Sequence, residues 1–171
     1  MPKETRSPDS TRSVVVDLAA PALKPAGWDT APRPKRLVAP TDLTIYELHV
    51  RDFSTSDATV PEAQRSKYAA FNEPASRGVQ HLQQLAKAGV TDLHLLPVFD
   101  FATVPERGCI VPKIPQAAAD SELQQAATEA AKAGDCFNWG YDPFHFTAPE
   151  GSYATAGASA AQRIVEFRTM V

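Results

Sequence analysis

Residues 43–50, LTIYELHV, alternate in the manner of a β-strand, with Ile45, Glu47 and His49 on one face and Thr44, Tyr46, Leu48 and Val50 on the other. Residues 77–88, RGVQHLQQLAKA, then carry an apolar stripe at helical spacing through Val79, Leu82, Leu85 and Ala86. Ser76 is placed to cap the start of this helix and Gly89 to stop it. The run VTDLHLLPVF at 90–99 follows directly and is apolar nearly throughout. A short apolar run after a helix is expected to be a parallel strand buried on both faces. Strand, helix and strand in this order make a βαβ unit and place the chain in the α/β class. Pro97, Asp100 and the aromatics beyond then fall at the carboxyl end of the second strand, where α/β proteins place their ligands.

One βαβ unit leaves two strand edges open and cannot cover a strand that is apolar on both faces. Upstream, SVVVDL at 13–18 reads as a short strand, followed by the proline-rich stretch 19–42, a linker. Residues 1–12 read as a polar tail. Downstream, 159–171 reads as a helix with Ile164, Val165, Phe167, Met170 and Val171 on its apolar side, and no stop signal follows. The pattern is that of a piece of a larger α/β protein. The alternative is a small domain that closes with SVVVDL as a third strand.

The stretch 136–155, CFNWGYDPFHFTAPEGSYAT, is expected to carry the chemistry. Of the chain's eight Phe, four Tyr and two Trp, it holds Phe137, Trp139, Tyr141, Phe144, Phe146 and Tyr153, interleaved with Asn138, Asp142, His145 and Glu150. Gly140, Pro143, Pro149 and Gly151 argue for an ordered loop rather than a helix or a long strand. Flat apolar rings beside amides and carboxylates suit a sugar, whose C–H faces stack and whose hydroxyls need partners. The competing reading buries the same aromatics in the core. Between the two halves, 102–135 is long and irregular, with an Ala-rich helix expected at 119–133 and a short helix possible earlier, at 61–68.

The 171 residues are 43% hydrophobic and 22% charged, which fits a globular chain of ordinary domain size. A formal charge of −3, without a basic run, argues against a nucleic-acid partner. No apolar run approaches the roughly 20 residues that span a bilayer, so no membrane partner is expected. The polar start MPKETRSPDSTRS has no apolar core of its own and does not read as a signal peptide, which leaves localisation unassigned. Cys109 and Cys136 are able to form one disulfide, but two cysteines do not define a redox compartment. No Cys/His cluster has zinc spacing, and no metal site is expected. Asp52 and Asp100, at strand ends, are expected to orient backbone or a neighbouring arginine such as Arg51. His49 and His94 read as core histidines, Glu150 as loop structure, and Arg163 with Glu166 as a surface pair.

In segments 46–53, 81–106 and 136–171 the wording is specific. YELHVRDF, HLQQLAKAGVTDLHLLPVFDFATV, NWGYDP, PEGSYAT and RIVEFRTMV, in this order and spacing, resemble type I pullulanases, debranching enzymes of the α-amylase superfamily. VVVDLAAPALKPAGWD resembles the end of the β-sandwich module that precedes the pullulanase barrel. The resemblance is weakest over 107–134. It implies an incomplete (β/α)8 TIM barrel, with first and second strands and helices in 41–171, preceded in 1–40 by the tail of a β-sandwich module and its linker. It implies hydrolysis of α-1,6-glucosidic branch links in pullulan and limit dextrins by a retaining pair, an aspartate nucleophile and a glutamate acid/base, roughly 5 Å apart. In the family these residues lie on later strands, so no catalytic residue is assigned here and the isolated chain is expected to be inactive.

The same resemblance makes this segment a binding wall. Tyr141 is then the platform beneath the glucose at the cleavage subsite, favouring a flattened, cationic transition state by stacking and cation–π attraction. Asp142 accepts hydrogen bonds from that glucose, while Asn138 and Trp139 shape the loop more than they touch sugar. Phe137 stands where the family usually has Tyr. No cofactor is implied, and a calcium requirement of full-length members has no assignable ligands here. The partners implied are an α-glucan substrate and the remainder of the catalytic domain. Rival readings are a non-catalytic α-glucan-binding fragment, a non-functional remnant that aggregates through its open edges, or another relative such as an isoamylase or branching enzyme.

Overall fold

The chain is described by a computed structural model over residues 13–34, 37–155 and 158–171. The polar tail at 1–12 lies outside the described residues. Strand β1 (Ile45–Leu48) pairs in parallel with β2 (Asp92–Leu95), in the register Ile45 to Asp92 and Leu48 to Leu95. Helix α1 (Arg77–Ala88) is the crossover between them. Its ends form as its sequence dictates. The Ser76 hydroxyl accepts from Val79 N–H, and Gly89 stops the helix at φ +107°, a left-handed conformation that glycine adopts without penalty. Gly78 is needed for packing, because a Cβ there would stand 2.7 Å from the Phe53 ring, itself stacked on Phe71 at 4.1 Å. In place of a short helix at 61–68, two 3-10 turns form, Glu62–Gln64 and Tyr68–Asn72.

The run 90–99 is not one strand buried on both faces. After β2 the chain passes Pro97, and Phe99–Phe101 forms β3 in a second sheet. Leu93 and His94 are exposed, which corrects the expectation of a core His94. The reason is stoichiometric: two strands and one crossover helix cannot cover both faces of a parallel sheet. Strand β3 pairs antiparallel with β4 (Pro143–Pro149), with register shifts on both sides of Asp100. A seven-residue strand thus lies within the stretch expected to be loop. Its prolines stand at its first and last positions, where a missing N–H is tolerated.

The connection from β3 to β4 carries α2 (Leu123–Ala131), shorter than the helix expected over 119–133. The connection is drawn back on itself by the Cys109–Cys136 disulfide, by Ile110 N–H to the Gly134 carbonyl at 2.8 Å and by Cys136 N–H to the Ile110 carbonyl at 3.1 Å. Helix α3 (Ala160–Met170) begins at a reciprocal cap between Ser159 and Gln162. The core gathers Val50, Tyr68, Phe101, Val104, Tyr153 and Ala154, with Phe167 and Met170 of α3 packed against it.

SVVVDL forms no strand. Residues 13–17 have no regular structure and Val15 is fully exposed, with no sheet neighbour among the described residues to accept its backbone bonds. The proline-rich segment is instead held as a strap on α3: Arg168 donates to the carbonyls of Leu23 at 2.8 Å and Leu18 at 3.1 Å and lies over the Trp28 ring.

Candidate carbohydrate-binding wall

The segment 137–142 crosses the carboxyl ends of β1 and β2 and is fixed by polar contacts both within the turn and from residues distant in sequence. Asn138 is its internal brace. The side-chain oxygen accepts from Gly140 N–H at 2.7 Å, and the side-chain amide donates to the Thr103 hydroxyl at 2.8 Å. Thr103 in turn donates to Asp142 Oδ2 at 2.5 Å. One hydroxyl therefore joins Asn138 to Asp142, and Ala102 N–H closes the turn on the Asp142 carbonyl at 3.0 Å. Gly140 sits at φ +90°, and a Cβ there would come within 2.7 Å of both Phe101 and Pro97. No other residue type fits this turn without displacing the core.

The brace leaves two rings outside. Tyr141 is 70% exposed and Trp139 is 59% exposed. Trp139 meets Phe137 edge-on at 5.2 Å, and Arg51 lies over the opposite ring, Phe137, at 5.8 Å. Asp142 Oδ1 is buried and has no hydrogen-bond partner among the described residues. An acceptor without a donor, next to an exposed aromatic face, is suited to a hydroxyl group of a ligand. Tyr141, Asp142, Trp139 and Asn138 thus lie on one turn: Asn138 inward as a brace, Tyr141 and Trp139 outward, and Asp142 between.

Several of the other charged residues depart from expectation. Asp52 pairs with Arg51 at 2.9 Å, as anticipated. Asp100 is buried and pairs instead with His145, Nδ1 to Oδ2 2.6 Å, with Arg163 at 4.0 Å. Arg163 and Glu166 do not form a surface pair. Arg163 reaches Glu106 at 2.7 Å, and Glu166 accepts from Thr155 N–H at 2.7 Å. Glu150 is more than loop structure. It is buried, with Oε2 accepting from Phe101 N–H and Oε1 from Ser152 N–H, both at 2.7 Å, while its carbonyl accepts from Tyr68 O–H at 3.0 Å. Burial pushes the Glu150 carboxyl up to about 7. Sequence reasoning missed Thr103 and the reach of Glu150, and no local spacing points to either. His49 is buried, as expected of a core histidine. Among the described residues no cluster of His, Cys, Asp and Glu is arranged to hold a metal ion, and no helix is long and apolar enough to cross a membrane.

A parallel βαβ start with an aromatic and carboxylate turn at its strand ends defines an α/β architecture. The chain is a relative of the pullulanases. It is 40% identical, over 96% of its length, to pullulanase of Klebsiella aerogenes, of which it covers 19%. It is 41% identical, over 96% of its length, to chloroplastic pullulanase 1 of Arabidopsis thaliana, of which it covers 18%. Among solved structures it superposes on PulA from Klebsiella oxytoca with a TM-score of 0.82 at 39% identity, over 93% of this chain and 19% of that one. The Klebsiella pneumoniae pullulanase complexed with maltotriose gives a TM-score of 0.80 at 38% identity, over 92% and 19% of the respective chains. No protein-family model matches the chain. The chain thus spans less than a fifth of the length of the Klebsiella aerogenes relative.

Proposed function

We propose that this chain is the amino-terminal part of a pullulanase-type catalytic (β/α)8 barrel, and that the whole protein hydrolyses α-1,6-glucosidic branch links in α-glucans. In this reading residues 41–171 supply the first two strands and helices, and 1–40 are the tail and linker of a preceding β-sandwich module. The observation that carries it is the turn 138–142, where the exposed ring of Tyr141 stands beside the unpartnered Oδ1 of Asp142. Identity to pullulanases over 96% of the chain, and the maltotriose bound in one solved relative, support the choice of substrate class.

The chemistry is divided. Bond cleavage belongs to a carboxylate pair that the family carries on later strands. This chain contributes binding: Tyr141 stacks under the glucose that becomes cationic in the transition state, so its contact strengthens as the bond breaks. Asp142 accepts a hydroxyl of the same sugar, filling the valence that the fold leaves open. Asn138 and Thr103 hold that carboxylate in place, and Trp139 walls the site. The isolated chain is inactive, because binding without nucleophile and acid does not cleave an acetal.

The test is to assay the protein as its gene encodes it for release of reducing ends from pullulan, alongside its Tyr141→Ala variant. Hydrolysis that falls at least tenfold in kcat/KM in the variant is expected. A wild-type protein that leaves pullulan intact, or a variant as active as wild type, overturns the reading.

A further inference from the structure

Ring contacts and a backbone carbonyl of the wall converge on one residue that lies outside it. His49 directly follows β1, is buried, and is surrounded by the rings of Phe137 at 5.4 Å, Tyr153 at 5.8 Å and Trp139 at 6.4 Å. Its Nε2 is 2.8 Å from the backbone oxygen of Asn138, 89 residues away in sequence. A carbonyl oxygen only accepts, so Nε2 carries the proton and donates. The other nitrogen agrees with this tautomer: Nδ1 faces Asp52 N–H at 3.4 Å and therefore presents a lone pair. The Tyr153 oxygen lies 3.0 Å from the same Nε2 and, with that nitrogen protonated, acts as a second acceptor of the N–H.

The bond falls on the peptide that joins Asn138 to Trp139. That peptide is the entry to the turn whose other side is Tyr141 and Asp142. Inside the turn Asn138 braces Asp142 through Thr103, but among the described residues no hydrogen bond made within the turn ties it to the first sheet. His49 does so from the carboxyl end of β1. We propose that His49 is the positioning residue of the sugar-binding wall: its Nε2–H holds the Asn138–Trp139 peptide, and thereby sets the height of the Tyr141 ring and the Asp142 carboxylate above the strand ends. This rests on the reading of Tyr141 and Asp142 as a glucan subsite. A buried histidine that served only to fill the core would have no need of a directed N–H, and an apolar residue of like volume would replace it.

The experiment compares His49→Leu, His49→Gln and Tyr141→Ala in the protein as its gene encodes it, with maltotriose affinity read by calorimetry. Glutamine can place an amide N–H close to where Nε2 stands, and leucine cannot. Expected is an affinity about tenfold weaker for His49→Leu, recovery to within about threefold of wild type for His49→Gln, and a loss of at least tenfold for Tyr141→Ala. Tyr141→Ala at wild-type affinity sinks the subsite reading itself. A normal Tyr141→Ala loss with His49→Leu unchanged, or with Leu and Gln equally impaired, overturns the positioning role alone. A measurement on the unaltered protein covers the case in which His49→Leu fails to fold. The 15N and 1H resonances of His49 must show the proton on Nε2, and a ring protonated on Nδ1 alone overturns the proposal.

Discussion

The carboxylate of Glu150 accepts a 2.7 Å hydrogen bond from the backbone N–H of Phe101, joining the end of β4 to the end of β3 in the middle of the core. Its second oxygen accepts from Ser152 N–H, so both oxygens are committed to backbone donors. Desolvation is nonetheless the largest influence, and it raises the folded-state pKa from 4.5 to about 7. Between these two values the folded chain binds more protons than the unfolded one. The stability that comes from the neutral carboxyl is therefore complete below about pH 4.5 and is lost as pH rises through about 7. The full difference is on the order of 3 kcal/mol. Denaturation midpoints measured from pH 5 to 8 should fall, and in Glu150→Gln they should be lower but flatter across the same range. Parallel slopes in the two proteins would show that Glu150 is not the titrating group.

Gly140→Ala combines two penalties at one position. The backbone is at φ +90°, and the added Cβ meets Phe101 and Pro97 at 2.7 Å. A loss of about 2–4 kcal/mol in urea unfolding is expected. Maltotriose affinity should fall with it, since the same turn carries Tyr141. A variant of wild-type stability would mean that the turn is looser than its contacts imply.

Tyr141→Ala should separate binding from stability. With its ring 70% exposed, the side chain contributes little to the core, so the unfolding midpoint should move by less than about 0.5 kcal/mol. Asp142→Ala should behave differently. It removes the acceptor for the Thr103 hydroxyl as well as the open Oδ1, and should cost about 1–2 kcal/mol of stability in addition to affinity. Equal stability losses in the two variants would count against the division of labour described for the turn.

Reduction of Cys109–Cys136 opens a connection whose cysteines are separated by 27 positions. Loop-closure entropy assigns the bond about 3.5 kcal/mol. Because Cys136 adjoins Phe137, the effect should extend to the wall: Trp139 fluorescence should shift on reduction, and Cys109→Ser with Cys136→Ser should reproduce the shift. An emission spectrum indifferent to reductant would confine the disulfide to the outer loop.

Much of this architecture was legible in order along the chain, because the features that encode it are local. The stripe of Val79, Leu82 and Leu85 between Ser76 and Gly89 needs no distant partner to define a helix, and α1 occupies the expected residues. Alternation at 43–50 and the apolar run at 90–99 were enough for a parallel pair. The run's length misled, since Pro97 divides it between two sheets and an apolar composition does not say which sheet it serves. SVVVDL has strand composition but no neighbour among the described residues with which to pair, and a strand is a property of two segments.

The wall divides along the same line. That Asn138, Trp139, Tyr141 and Asp142 share one turn is a consequence of their adjacency and of Gly140. Which of them faces inward, and what holds them, depends on residues 35 and 89 positions away, Thr103 and His49. Likewise Arg163 abandons Glu166 for Glu106, and Glu150 becomes the tie between two strands, because a polar group drawn out of water takes whatever partners the packing delivers. Helix ends, turn glycines and strand order are settled by neighbours in the chain, whose spacing is covalent. Partners of buried polar groups are settled only when the sheets close, because the cost of leaving them unpaired arises only once water is gone.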